Sequence, residues 1–166
     1  TPDGSDALYI SRSKLGRLRG SILGEDILEQ ELAARGFEIF HPEEHDIATQ
    51  IARYKAAKVI LGSDGSALHL YSFVGRADQK VGIVPRRHSS AVGHIVANVT
   101  HFTGVEPVVF DTLRGVWQPS VSHRARLSMG EHDLPALQKA LVAHGFLSDG
   151  PDWPALDSAA LQAELG

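Results

Sequence analysis

Between Leu8 and Phe73 short β-like runs alternate with amphipathic helical runs, and polar or basic residues collect wherever a β-like run stops. Leu8-Tyr9-Ile10-Ser11-Arg12 opens into a loop, residues 13–24, that carries Lys14, Arg17 and Arg19 among three glycines. A third apolar run, Val59-Ile60-Leu61, empties into Gly62-Ser63-Asp64-Gly65-Ser66-Ala67. Parallel strands cannot be joined by a tight turn and need a crossover, usually a helix, so this alternation points to an α/β fold with a mostly parallel sheet. Such sheets bind ligands outside the carboxyl ends of their strands, which keeps the candidate residues few.

The first strand spans 8–12 and is nearly continuous in apolar residues, as expected of a strand covered on both faces. A helix over Glu25–Arg35 sets Ile27, Leu28, Glu31 and Leu32 on one period, with Gly36 at its C-cap. Phe37–Phe40 is the second strand, and Pro42 stops it. A helix follows from about Asp46, its N-cap, to Ala57, with Ile47, Gln50, Ile51 and Tyr54 at helical spacing. Val59–Leu61 is the third strand, followed by a short helix over Ala67–Phe73. Lys80–Val84 is the fourth strand, Val92–Phe102 a helix, Glu106–Asp111 a fifth strand and Asp133–His144 a helix. The stretch Arg114–Met129 has no clear period and takes no assignment. The expected organisation is a linker at 1–7, a Rossmann-like nucleotide-sugar-binding domain at 8–147 with helices on both faces, and a tail at 148–166 with a short helix from about Ala155.

Composition narrows the function classes. A chain of 166 residues with 43% apolar content suits one packed domain. Its net charge of −4 provides no bulk field for nucleic acid. The absence of cysteine excludes a disulfide scaffold and thiolate metal sites, and it fits a reducing compartment. No apolar run approaches the roughly 20 residues of a membrane span.

The ordered series Leu8–Arg12, Arg19, Glu25-Asp26-Ile27-Leu28, Gly36-Phe37-Glu38, Gln50-Ile51, Ala57–Gly62, Gly65-Ser66-Ala67-Leu68 and Phe73 resembles glycosyltransferase family 61, over roughly residues 8–110. The resemblance implies the C-terminal, donor-binding half of a GT-B fold and sugar transfer from a nucleotide diphosphate sugar to a glycan or protein acceptor. It further implies catalysis without a cofactor or an essential metal ion, and a partner N-terminal α/β domain. The chain departs from the family pattern in having Gly24 for Asn, Asp64 for His and Leu70 for Asn, and in lacking a Glu near Gly82. Those departures motivate an alternative, a glycan- or nucleotide-binding module that has lost transferase activity. By analogy with bacterial polysaccharide assembly, a cytoplasmic setting is expected.

A diphosphate leaving group needs fixed cations and donors. Arg12 at the end of the first strand and Arg19 in the next loop are the candidates, because guanidinium forks match phosphate oxygens and stay charged. Gly62, Ser63, Asp64, Gly65, Ser66 and Ala67 form a strand-to-helix turn whose amides can approach an anion. Asp64 is either a turn-forming side chain or an acceptor for a ribose or sugar hydroxyl. Glu25 is the candidate catalytic residue: it holds Arg12 or Arg19, accepts a hydrogen bond from the donor sugar, or simply complements a helix dipole. Gln50 is a surface residue or reaches a sugar. Arg86, with Arg87 and His88, is a second anion contact or a solvated basic loop. No general base is identifiable. His41-Pro42-Glu43-Glu44-His45 also satisfies the H-x-x-E-H pattern of a zinc peptidase, although Pro42 argues for a turn where that chemistry needs a helix.

Overall fold

The computed structural model describes residues 3–15, 19–88, 90–118 and 127–165. Arg17 of the basic loop, and residues 1, 2 and 166 of the expected linker and tail, lie outside them. In chain order the elements begin β1 (Ala7–Ile10), β2 (Ser21–Ile22), α1 (Glu25–Ala33), β3 (Glu38–Phe40), α2 (Ile47–Ala56), β4 (Val59–Ser63) and α3 (Ser66–Val74). They continue β5 (Lys80–Val84), α4 (Ser90–Thr103), β6 (Val108–Val109), β7 (Leu113–Trp117), β8 (Met129–His132), α5 (Leu134–Ala143) and α6 (Ser158–Leu165).

The main sheet runs β3-β1-β4-β5-β6, every pair parallel. Side chains alternate across it, which is why the strands read as continuous apolar runs. Leu8 and Ile10 of β1, Ile60 of β4 and Val81 and Ile83 of β5 pack with Tyr54, Leu68, Tyr71, Ile95 and Val99 from α2, α3 and α4. Tyr9, Leu61 and Val84 face the other way, onto Leu28 and Leu32 of α1 and Leu137 and Leu141 of α5. The fold is therefore α/β and Rossmann-like, with helices on both faces of a parallel sheet.

The expected caps form. Asp46 Oδ1 accepts the Thr49 N–H at 2.8 Å, and Gly36 turns the chain out of α1 at φ 91°. Of the residues at helical spacing in α2, Ile47 is 58% exposed and Tyr54 carries the helix's burial. Residues 3–6, read as linker, lie along α2: Asp3 N–H donates to Ala52 O, and the Arg53 guanidinium pairs with the Asp3 carboxylate. The tail packs rather than trails. Trp153 and Leu156 enter the core on the α1–α5 side, and Gln138 grips the tail backbone at Pro151 and Trp153.

Described residues at the two ends of the unassigned stretch join a second sheet, β2-β8-β7, with β2 parallel and β7 antiparallel to β8. It docks over the end of β5. A Cβ at Gly130 would lie 2.7 Å from the Arg86 Cα, so only glycine permits that approach. His132 Nε2 donates to Pro85 O, which leaves Nδ1 to accept from Thr112 Oγ1 at 2.8 Å and fixes the neutral tautomer. Burial lowers the pKa of this histidine, in keeping with that form. Among the described residues no helix is long and apolar enough to cross a membrane.

Candidate functional site

Numbered along the chain, the main-sheet strands lie in the order 2-1-3-4-5, so the winding reverses between β1 and β4. Both strands end at that reversal, β1 into Ser11-Arg12 and β4 into Asp64-Gly65, with the β5 exit, Arg86-Arg87, alongside. This is the crevice in which open α/β sheets hold ligands.

Two adjoining cavities occupy it. One, of about 660 Å³, is walled by Arg12, Arg19, Arg86 and Arg87 together with His69 and His94. The other, of about 410 Å³, is walled by Ser11, Glu43, Gln50, Ser63, Ala67 and Leu70. Arg12, Arg19, Gly65 and Ser66 line both. The cations are thus concentrated here in a chain whose net charge is negative.

Arg12 reaches across the turn onto Gly65. A Cβ there would meet Arg12 Nη1 at 2.5 Å, so the guanidinium can lie in this position only over a glycine; the glycine's own backbone is extended and unstrained. Arg12 Nη2 donates to Arg19 O at 2.6 Å, which ties the basic loop to the turn. Arg12 Nε is buried and has no partner, and so is Ser63 Oγ. Orphaned buried polar atoms are rare and call for an explanation. Burial lowers the Arg12 pKa, opposed by the carboxylates of Asp64 and Glu25. The Gly65, Ser66 and Ala67 amides, at the start of α3, have no acceptor among the described residues. Arg19 is exposed, and its guanidinium makes no ion pair among the described residues.

Three sequence candidates stand elsewhere. Gly62 lies inside the β4 ladder, opposite Ile10 and Ile83, so the turn begins after it and the residue lines neither cavity. Asp64 is fully buried and is no cavity wall. Its Oδ2 accepts the Arg86 N–H at 3.0 Å and its Oδ1 lies 3.1 Å from Arg87 Nη2, so the carboxylate is engaged by two arginines. Glu25, 3% exposed, sits behind Arg12 and touches neither cavity. Its Oε1 accepts the Arg12 N–H at 2.8 Å and the Ser11 hydroxyl at 2.9 Å, so it positions the β1 exit. Burial pushes this carboxyl up to about 7, against the pull of those two hydrogen bonds.

Arg86 is also buried. It donates to Asp64 O and Ser128 O, and desolvation lowers its pKa to about 10 although Asp64 opposes the shift. Gln50 walls the smaller cavity while its Nε2 bonds Pro42 O and His45 O at 3.0 Å each. Arg87, read in the sequence with Arg86 as a second anion contact or part of a solvated loop, is held by Asp64. His69 and His94, one on α3 and one on α4, show no ligand-like spacing in the sequence and line one cavity because those helices pack together. The H-x-x-E-H stretch forms a 3-10 turn over Pro42–Glu44 with extended residues at both ends, and His45 stacks on Phe40 at 4.8 Å. The single helical face that a zinc peptidase needs is missing, because Pro42 starts a turn there.

No curated protein matches the chain. The family model described as Glycosyltransferase 61 matches residues 2–84, half of the 166 residues, from ahead of β1 to the end of β5. That span holds Arg12, Arg19, Glu25 and the Ser63–Ala67 turn, and stops just before Arg86. The chain belongs to glycosyltransferase family 61.

Proposed function

We propose that this chain is the donor-binding part of a GT-B glycosyltransferase that moves a sugar from a nucleotide diphosphate sugar to a glycan or protein acceptor. The observation that carries this reading is the meeting of the Arg12 and Arg19 guanidiniums with the unpaired amides of Gly65, Ser66 and Ala67 at the reversal of the sheet. As the glycosidic bond breaks, negative charge builds on the departing diphosphate. Arg12 and Arg19 would meet that charge in the place a metal ion takes in other transferases, helped by Ser63, Ser66 and the positive end of α3. Glu25 and Asp64 would act from behind, fixing the backbones of Arg12 and Arg86. Gly62 would keep β4 close to its neighbours, since a Cβ there would press on Leu68 and Ile10.

On this reading the acceptor and its general base belong to a second α/β domain, and cytoplasmic polysaccharide assembly is the setting. Calorimetric titration with UDP, GDP and CDP tests it. One of them should bind saturably, and Arg12→Ala should weaken that binding at least about tenfold. Absence of saturable binding to all three, with the partner domain present, would overturn the reading.

A further inference from the structure

The two cavities differ in what their walls can offer a hydrogen-bonding ligand. The smaller has acceptors: the Glu43 carboxylate, the Gln50 side-chain oxygen and the Ser63 hydroxyl. These suit the hydroxyls of a ribose and the edge of a base. The larger cavity has no Asp, Glu, Asn or Gln side chain among its described lining residues. Beyond the shared diphosphate contacts it presents the Arg87 guanidinium, His69 and His94. Asn98 Nδ2 lies 2.7 Å from His69 Nδ1. An amide nitrogen can only donate, so Nδ1 accepts and the ring proton sits on Nε2. His69 is therefore a second donor, held in its tautomer by α4.

A neutral hexose brings several hydroxyls that must both donate and accept, and a wall of guanidiniums and imidazoles with the Ser66 hydroxyl as its one side-chain oxygen among the described residues satisfies it poorly. A carboxylate only accepts. We propose that the larger cavity receives an acidic donor sugar, a hexuronate, whose carboxylate is read by His69, His94 and Arg87. This rests on the donor-site reading above and names the sugar class for the same site. Arg87 is aimed by Asp64, which is itself engaged and presents no carboxylate to the cavity.

The experiment uses the full chain and matched donor pairs: UDP-glucose against UDP-glucuronate and GDP-mannose against GDP-mannuronate, with UDP and GDP alone as references. The acidic member of the pair carrying the accepted nucleotide should bind about tenfold more tightly, the scale of one charge-assisted hydrogen bond. His94→Ala, at an exposed position, and His69→Leu should each shrink that ratio, with circular dichroism reporting whether the variant is folded. If His69→Leu does not fold, the His94→Ala ratio decides. Equal affinity for acidic and neutral sugars, or a preference unchanged in the folded variants, overturns this inference and leaves nucleotide binding standing. Failure of UDP, GDP and CDP alike to bind, with the partner domain present, overturns the donor reading and this inference together.

Discussion

The exits of β1 and β5 follow the same plan, yet they come to different ends. At each, a buried carboxylate accepts the backbone N–H of an arginine: Glu25 from Arg12 at 2.8 Å, Asp64 from Arg86 at 3.0 Å. At β5 the carboxylate also faces two guanidinium groups, Arg86 at 3.7 Å and Arg87 at 3.1 Å, so its own charge is answered inside the fold. At β1 it does not. Glu25 keeps one oxygen without a partner, its pKa rises to about 7, and the Arg12 side chain runs out over Gly65 with Nε unsatisfied. A buried charge with its partner beside it serves the architecture, whereas one whose partner has been sent into a cavity is held ready for something else.

The sharpest way to break that contrast is Asp64→Ala. It leaves buried Arg86 and Arg87 without their counter-charge, and removing one partner of a buried pair costs about 3–5 kcal/mol. Urea unfolding should show a loss of that size; a loss under 1 kcal/mol would make the β5 exit no more committed than the β1 exit.

Glu25→Gln tests the other side through pH. An acid whose folded pKa lies above its ordinary 4.5 holds an extra proton in the native state, so the stability it contributes is present at low pH and is lost as pH rises to about 7. Glutamine has no such slope. The variant should therefore gain on the parent by about 3 kcal/mol between pH 4.5 and 8. Parallel unfolding curves for the two proteins across that range would show that Glu25 is not strained.

Gly65→Ala sharpens the reading of Arg12. The new methyl displaces the tip of a flexible side chain while the extended backbone tolerates alanine, so stability should change by less than about 1 kcal/mol. Nucleotide diphosphate affinity should fall about tenfold, as one charge-assisted contact is lost. Unchanged affinity would show that Arg12 need not lie on the turn. The smallest structural effect belongs to Arg19→Ala, which should leave the unfolding midpoint within error at this exposed site and lower nucleotide affinity several-fold. Titration at low and high salt checks it, because an exposed cation loses its influence as salt rises.

Much of the main sheet was legible. The β5 strand matches its expected span, the other strands lie within a few residues of theirs, and Asp46 and Gly36 do what their side chains, or the lack of one, suggest. The second sheet was not. The β2 strand is two residues long, β7 is half exposed with an irregular register, and β8 reads Met-Gly-Glu-His although it is wholly buried. None of these has a period to detect; each becomes a strand because a distant segment supplies its hydrogen bonds. Asp64 was ambiguous for a related reason. In sequence it is one more polar turn residue, and only the arrival of Arg86 and Arg87 from the next strand decides that its carboxylate faces inward. The tail misled in the same way, since Trp153 and Leu156 show no regular spacing and find their places against α1 and α5.

The order of residues alone settled where strands end and which polar groups stand there, because apolar periodicity and glycine placement act over a few residues and are visible locally. What the polar groups face was settled in space. Desolvation, ion pairing and hydrogen-bond supply depend on neighbours that come from 13 to 29 residues away, as Glu25 does for Arg12, Asp64 for Arg86 and Asn98 for His69. Those three pairings hold polar residues from separate elements around one arginine-lined crevice.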